Sequence, residues 1–129
     1  MAEKVEALFE RAARGEIDLY TTSLVAAETL YVASRLYSAM KVPEPNERSL
    51  EYVMWLQHHV GLRVAKVDTA LALEAGELRK QLGIALTDCT VIALAKRLGA
   101  TPLFRKVESE MEPVVDRLRS LKVAFLESL

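Results

Sequence analysis

Four short β-forming runs, IDLYT (17–21), GLRVAKV (61–67), TPLF (101–104) and KVAFL (122–126), are separated in every case by helix-forming stretches. This alternation constrains the fold more than any other feature of the chain. Short apolar strands joined through helices line up in parallel, with the helices packed over their faces. The expected architecture is therefore α/β, a parallel sheet covered by helices in one layered structure. With 129 residues, no internal repeat and no linker-like stretch, residues 1–129 are expected to form one domain with its own core.

The helices follow from periodicity and punctuation. Residues 3–14 place Val5, Leu8, Phe9 and Ala12 at helical spacing, and Gly15 ends the segment. Thr22 or Ser23 can cap LVAAETLYVASRLYSAM. KVPEPNE (41–47), with two prolines, reads as a loop, and ERSLEYVMWLQHH (47–59) as a helix. Asp68 caps TALALEAGELRKQL, which Gly83 stops. A further helix runs over 88–98 and ends at Gly99, and Pro113 suits the first turn of a helix reaching about Ser120.

Composition narrows the function classes. The net charge of −1 provides no global basic field for gripping nucleic acid, which leaves only a local patch. The most apolar run, Leu24 to Met40, is interrupted by Glu28 and Arg35, so no membrane span is expected. The single cysteine, Cys89, excludes an internal disulfide and suits a reducing cytoplasm. At a helix N-terminus its pKa could be lowered, but no His or Asn arrangement supports a thiol nucleophile, so packing is its expected role. Asn46, Gln57 and Gln81 are the only side-chain amides, which leans towards a thermophilic source. There is no glycine-rich phosphate loop, and His58 and His59 are adjacent rather than spaced for a shared metal. Tyr52, Met54 and Trp55 make their helix unusually sticky, for core packing or for an interface with a second copy or a partner protein.

Two carboxylates stand apart from the rest. Glu28 is flanked at helical spacing by Leu24, Val25, Tyr31 and Val32, with Ala26, Ala27, Leu30 and Ala33 on the other side. A helix apolar on nearly all sides is expected to be buried, and a carboxylate there needs a partner. Arg35, a backbone donor or a place at the helix edge would each supply one. Asp88 stands at the start of ALTDCTVIALAKRLGA, where Thr87 or Asp88 can cap the helix and the macrodipole favours negative charge. In an open α/β sheet both acids could reach the crevice beyond the carboxyl ends of the strands. Carboxylates gathered there suit a hard divalent cation.

LYTTSLVAAETLYVASRLY and DTALALEAGELRKQLGIALTDCTVIALAKRLGATPLFRK, in this order and spacing, resemble the PIN-domain family, including the VapC-type ribonuclease toxins of prokaryotes. The similarity spans essentially the whole chain. It implies a PIN-like three-layer fold and matches Glu28 and Asp88 to family metal-site residues. A further family carboxylate follows the fourth strand. In LFRKVESEMEP strict alignment puts Val107 near that place, with Glu108 the nearest substitute and Glu110 the next. Alternatively, Glu108, Glu110 and Glu112 are solvated charges.

The resemblance also implies an initial strand ending in an Asp, central to the sheet between strands two and four, and the leading metal ligand. This chain opens in what resembles the family's second helix, so that strand, the first helix and that Asp are expected to be missing. Two sheet edges would then be open. Strands two and four are expected to pair directly, or the gap to drive oligomerisation or exchange of segments.

The activity so implied is RNA phosphodiester hydrolysis with Mg²⁺ or Mn²⁺, with Glu28, Asp88 and Glu108 as ligands. Thr87 and Ser23 would hold waters or orient carboxylates, and Arg105 and Lys106 would meet substrate phosphates. RNA, an antitoxin protein and a homo-oligomer are the expected partners, and the incomplete acidic set argues against full activity. The alternatives are a non-catalytic PIN-like binding or assembly module, and an unrelated α/β domain whose carboxylates only cap helices.

Overall fold

The computed structural model describes residues 1–129. Its chain runs α1 (Ala2–Ala13), β1 (Tyr20–Thr22), α2 (Ser23–Ala39), α3 (Pro45–Trp55), a π turn (Leu56–Val60), β2 (Arg63–Ala65), α4 (Thr69–Leu82), α5 (Leu86–Leu98) and β3 (Leu103–Phe104). A 3-10 turn (Ser109–Val114), α6 (Val115–Ser120), β4 (Ala124–Phe125) and a last 3-10 turn (Leu126–Ser128) complete it. The fold is helix-rich α/β with short parallel strands, as expected of a PIN-like chain. No helix is long and apolar enough to cross a membrane.

The residues divide into two compact units, Val5–Lys66 and Met1–Lys4 with Val67–Leu129. In the first, β1 and β2 pair in parallel, with Tyr20 opposite Arg63 and Thr22 opposite Ala65. The buried Thr22 caps α2, its hydroxyl accepting from the Val25 amide at 3.2 Å. Helix α3 starts at Pro45, earlier than the sequence suggests, because proline serves at the first helical position, where no amide is needed.

The second unit holds most of the core. Ala75, Leu82, Ile84, Cys89, Ile92, Met111, Leu118, Val123 and Phe125 form one buried cluster. Strands β3 and β4 pair in parallel, Leu103 opposite Ala124 and Phe104 opposite Phe125. Asp68 caps α4 by accepting from the Leu71 amide at 2.8 Å, and Arg97 bonds its other oxygen at 3.2 Å. Gly83, at φ +70°, stops that helix. Lys4 donates to the Glu127 carbonyl at 2.9 Å, tying the N-terminal residues to the C-terminal turn.

Several expectations are corrected. The four strands form two separate two-stranded sheets rather than one, so the second and fourth family strands, here β1 and β3, are not partners. All four are shorter than their β-forming runs. Pro113 lies inside the 3-10 turn, not in the first turn of a long helix, and α6 begins only at Val115. The largest departure is α2, which buries none of its residues. Tyr31 is 55 % exposed, Leu36 57 % and Met40 70 %. Apolarity on all sides reports what a helix can bury, and these residues provide cover for only part of it.

Candidate functional site

Asp88 occupies the first turn of α5 and is half-buried. The helix starts earlier than the sequence suggests: Ala85 is the N-cap, and neither Thr87 nor Asp88 takes that position. Alanine has no side-chain acceptor, and the Ala85 amide donates instead to Oε1 of Glu110 at 3.3 Å. The preceding carbonyl, of Ile84, accepts from Arg79 Nη1 at 2.6 Å. Thr87 is half-buried and its carbonyl accepts from the Thr90 hydroxyl at 2.6 Å. The first turn of α5 thus gathers Asp88, Glu110 and Arg79.

Cys89 registers that field. It is fully buried and belongs to the core cluster. Its thiol is pushed up from 9.0 to about 11, first by burial, then by the charges of Asp88 and Glu110, which outweigh the opposing Arg79. The acidified thiol that a helix N-terminus suggests is therefore not found, because desolvation and two carboxylates overcome the dipole.

Glu108 is exposed and stands just before the 3-10 turn, where its side chain makes no capping bond. Of the two acids singled out after β3, it is Glu110 that reaches the start of α5. The 3-10 turn begins at Ser109 and swings the second acid back over it, a geometry that spacing does not reveal. Arg105 and Lys106 follow β3 directly and are both exposed.

Glu28 and Ser23 belong to the other unit. Ser23 is the first residue of α2 and is exposed. Glu28, one turn further on, is exposed rather than buried, so the desolvation cost inferred from its apolar neighbours does not arise. Arg35 is not its partner: the guanidinium donates to the Tyr31 hydroxyl at 2.7 Å and lies over that ring, 5.4 Å from its centre. Glu28 lines an apolar groove of about 320 Å³ with Val25, Thr29, Val32, Ala33, Leu36 and Tyr52. Trp55, 42 % exposed, is stacked between Tyr52 and His59, with ring centres 6.1 and 5.4 Å away. Met54 and Trp55 thus stay largely outside the core.

The donor set does not complete a metal centre. Nowhere do three or more His, Cys, Asp or Glu side chains converge in a group able to hold a metal ion. Of the acids expected at the site, Asp88 and Glu110 are the two that gather at the start of α5, and the chemistry of a multi-carboxylate site needs more.

Comparison with protein families matches the PIN domain over residues 1–118. Searches among curated proteins and among solved structures gave no match.

Proposed function

Given that the chain belongs to the PIN-domain family, a nuclease-type family, we propose that it is a PIN-type ribonuclease domain of the VapC kind that carries part of an acidic site. Its substrate class is RNA, its ion Mg²⁺ or Mn²⁺, its compartment the cytoplasm and its regulator an antitoxin protein. The observation that carries this reading is the family match together with Asp88 in the first turn of α5. The partial positive charge of a helix N-terminus favours an acid in that turn, and Glu110 accepts from the N-cap amide of the same helix.

In metal-dependent nucleases the ion activates a water and offsets charge on the phosphate. Glu28 and Glu108 are the further acids proposed for such a site. Thr87 and Ser23 would orient carboxylates or waters, and Arg105 and Lys106 would contact phosphates. Because no group of three ligand side chains forms, the chain alone is expected to bind Mn²⁺ weakly and to cleave RNA slowly, if at all.

Calorimetric titration of Mn²⁺ into the wild type and Asp88→Asn tests the reading. Binding in the wild type that is lost in the variant is the expected outcome; equal binding in both would remove Asp88 from any metal site. The same missing group of ligands favours a second reading, a non-catalytic PIN-like binding module. Absence of Mn²⁺ binding and of RNA cleavage, with RNA or protein binding retained, would select it.

A further inference from the structure

The first turn of α5 leaves backbone amides without partners inside the helix, and its N-cap, Ala85, has no side-chain oxygen to offer them. Asp88 is the third helical residue. A side-chain oxygen at that position is the one that closes a capping box, by reaching back to the N-cap amide. In this chain the N-cap amide is engaged from elsewhere: it donates to Oε1 of Glu110 at 3.3 Å, 25 residues further along.

The same peptide group is held at its other end. The Ile84 carbonyl and the Ala85 amide belong to one peptide, and Arg79 Nη1 donates to that carbonyl at 2.6 Å. A cation thus meets the negative end of the peptide dipole and an anion the positive end, each through a charge-assisted bond. A peptide unit is planar, so bonds at both ends fix its orientation. It is also the unit from which α5 starts, since the Ala85 carbonyl accepts the first helical bond, from the Cys89 amide at 3.1 Å. Arg79 lies in the last turn of α4 and Glu110 in the 3-10 turn, so two other elements set the start of α5.

We propose that Glu110 caps α5 in place of Asp88 while Arg79 holds the other end of the same peptide, and that both are positioning residues which keep Asp88 from folding back onto its own helix start. Glu110 and Asp88 are alternatives for one amide, and Glu110 is a backbone partner rather than an ion ligand. That Asp88 has an ion to hold rests on the proposed function; the competition for the Ala85 amide does not.

A double-mutant cycle on the ion-free protein, read by urea denaturation, tests the competition. Asp88→Ala should raise the unfolding equilibrium constant about fivefold more in a Glu110→Ala background than in the wild type, because there Asp88 has become the cap. The Ala85 amide should exchange with solvent about tenfold faster in the double variant than in either single, since only there has it lost both acceptors. Glu110→Gln keeps an oxygen at the same reach and should hold that exchange within about threefold of the wild type. Arg79→Met should speed it by about threefold or more, and no change would remove Arg79 from the clamp. Additive effects in the cycle, or an Ala85 amide as fast in Glu110→Ala as in the double variant, would overturn the proposal. Titration of Mn²⁺ separates positioning from ligation. Glu110→Gln should keep the wild-type affinity within about threefold, and Glu110→Ala, with Asp88 drawn to the cap, should lower it about tenfold. Equal losses in both would make Glu110 a ligand and overturn the proposal. A wild type that binds no Mn²⁺ would end the proposed ion site, and the ion-free measurements would still decide the cap, so the two readings fail separately.

Discussion

Cys89 shows how far a residue's surroundings can reverse its local tendency. A helix N-terminus acidifies a thiol, yet burial and the nearby Asp88 and Glu110 raise this one to about 11. The folded pKa lies above the unfolded value, so the stability it contributes is complete below about pH 9 and is lost as pH rises towards 11. At a given pH below 9, native Cys89 should therefore react with iodoacetamide at least about a hundredfold more slowly than the same thiol in denaturant. Equal rates would show that the thiol is neither buried nor opposed by carboxylates. Asp68 runs the other way. The Leu71 amide and then Arg97 hold its carboxyl below the usual range, so its contribution is present above that range and fades as pH falls through the lowered value. The Asp68 cap was legible because its position before an apolar-periodic segment is a local signal. The exposure of Glu28 was not, because it depends on what covers α2.

Among the elements, helix endings divide by the same rule. After α1 and α5 the chain closes the paired carbonyl bonds of a Schellman motif, with Gly15 and Gly99 in the left-handed position, at φ +76° and +66°. Both stops were visible as glycines. Helices α2 and α6 end in the same pattern with lysines there: Lys41 at φ +60° and Lys122 at +65°. After α6 the Val123 amide donates to the Leu118 carbonyl at 3.0 Å and the Lys122 amide to that of Arg119 at 2.9 Å. Leu118 and Val123 both join the core, so packing holds Lys122 in a backbone state that L-residues avoid. Lys122→Gly should therefore raise unfolding stability by about 1 kcal/mol. Chemical denaturation measures it, and a loss of stability would show that the lysine side chain matters more than its backbone. The start of α5 is the converse case: a cap supplied by Glu110, 25 residues away in sequence, has no local signature.

For the whole chain, stability is distributed unevenly. Residues 67–129 contain the buried cluster, whereas Leu56 and Val60 are the buried apolar side chains of residues 5–66. Amides in α5, six of whose residues are buried, should exchange with solvent at rates near the global unfolding limit. Those of α2, none of whose residues is buried, should exchange faster. Hydrogen exchange in dilute protein measures both. Uniform protection of α2 and α5 in dilute protein would contradict this division.

By itself the sequence determined the order of helices and strands, a cap at Thr22 or Ser23 and another at Asp68, the glycine stops and the family. These rest on periodicity, on side chains that bond backbone a few residues away and on a pattern spread along the chain. Tertiary structure alone decided that the strands form two sheets, that α2 lies open, that Cys89 is buried in the apolar core with Asp88 and Glu110 acting on it and that Glu110 rather than Glu108 reaches the start of α5. Each of these depends on groups distant in sequence, or on the absence of a covering surface, and neither leaves a mark in a local run of residues.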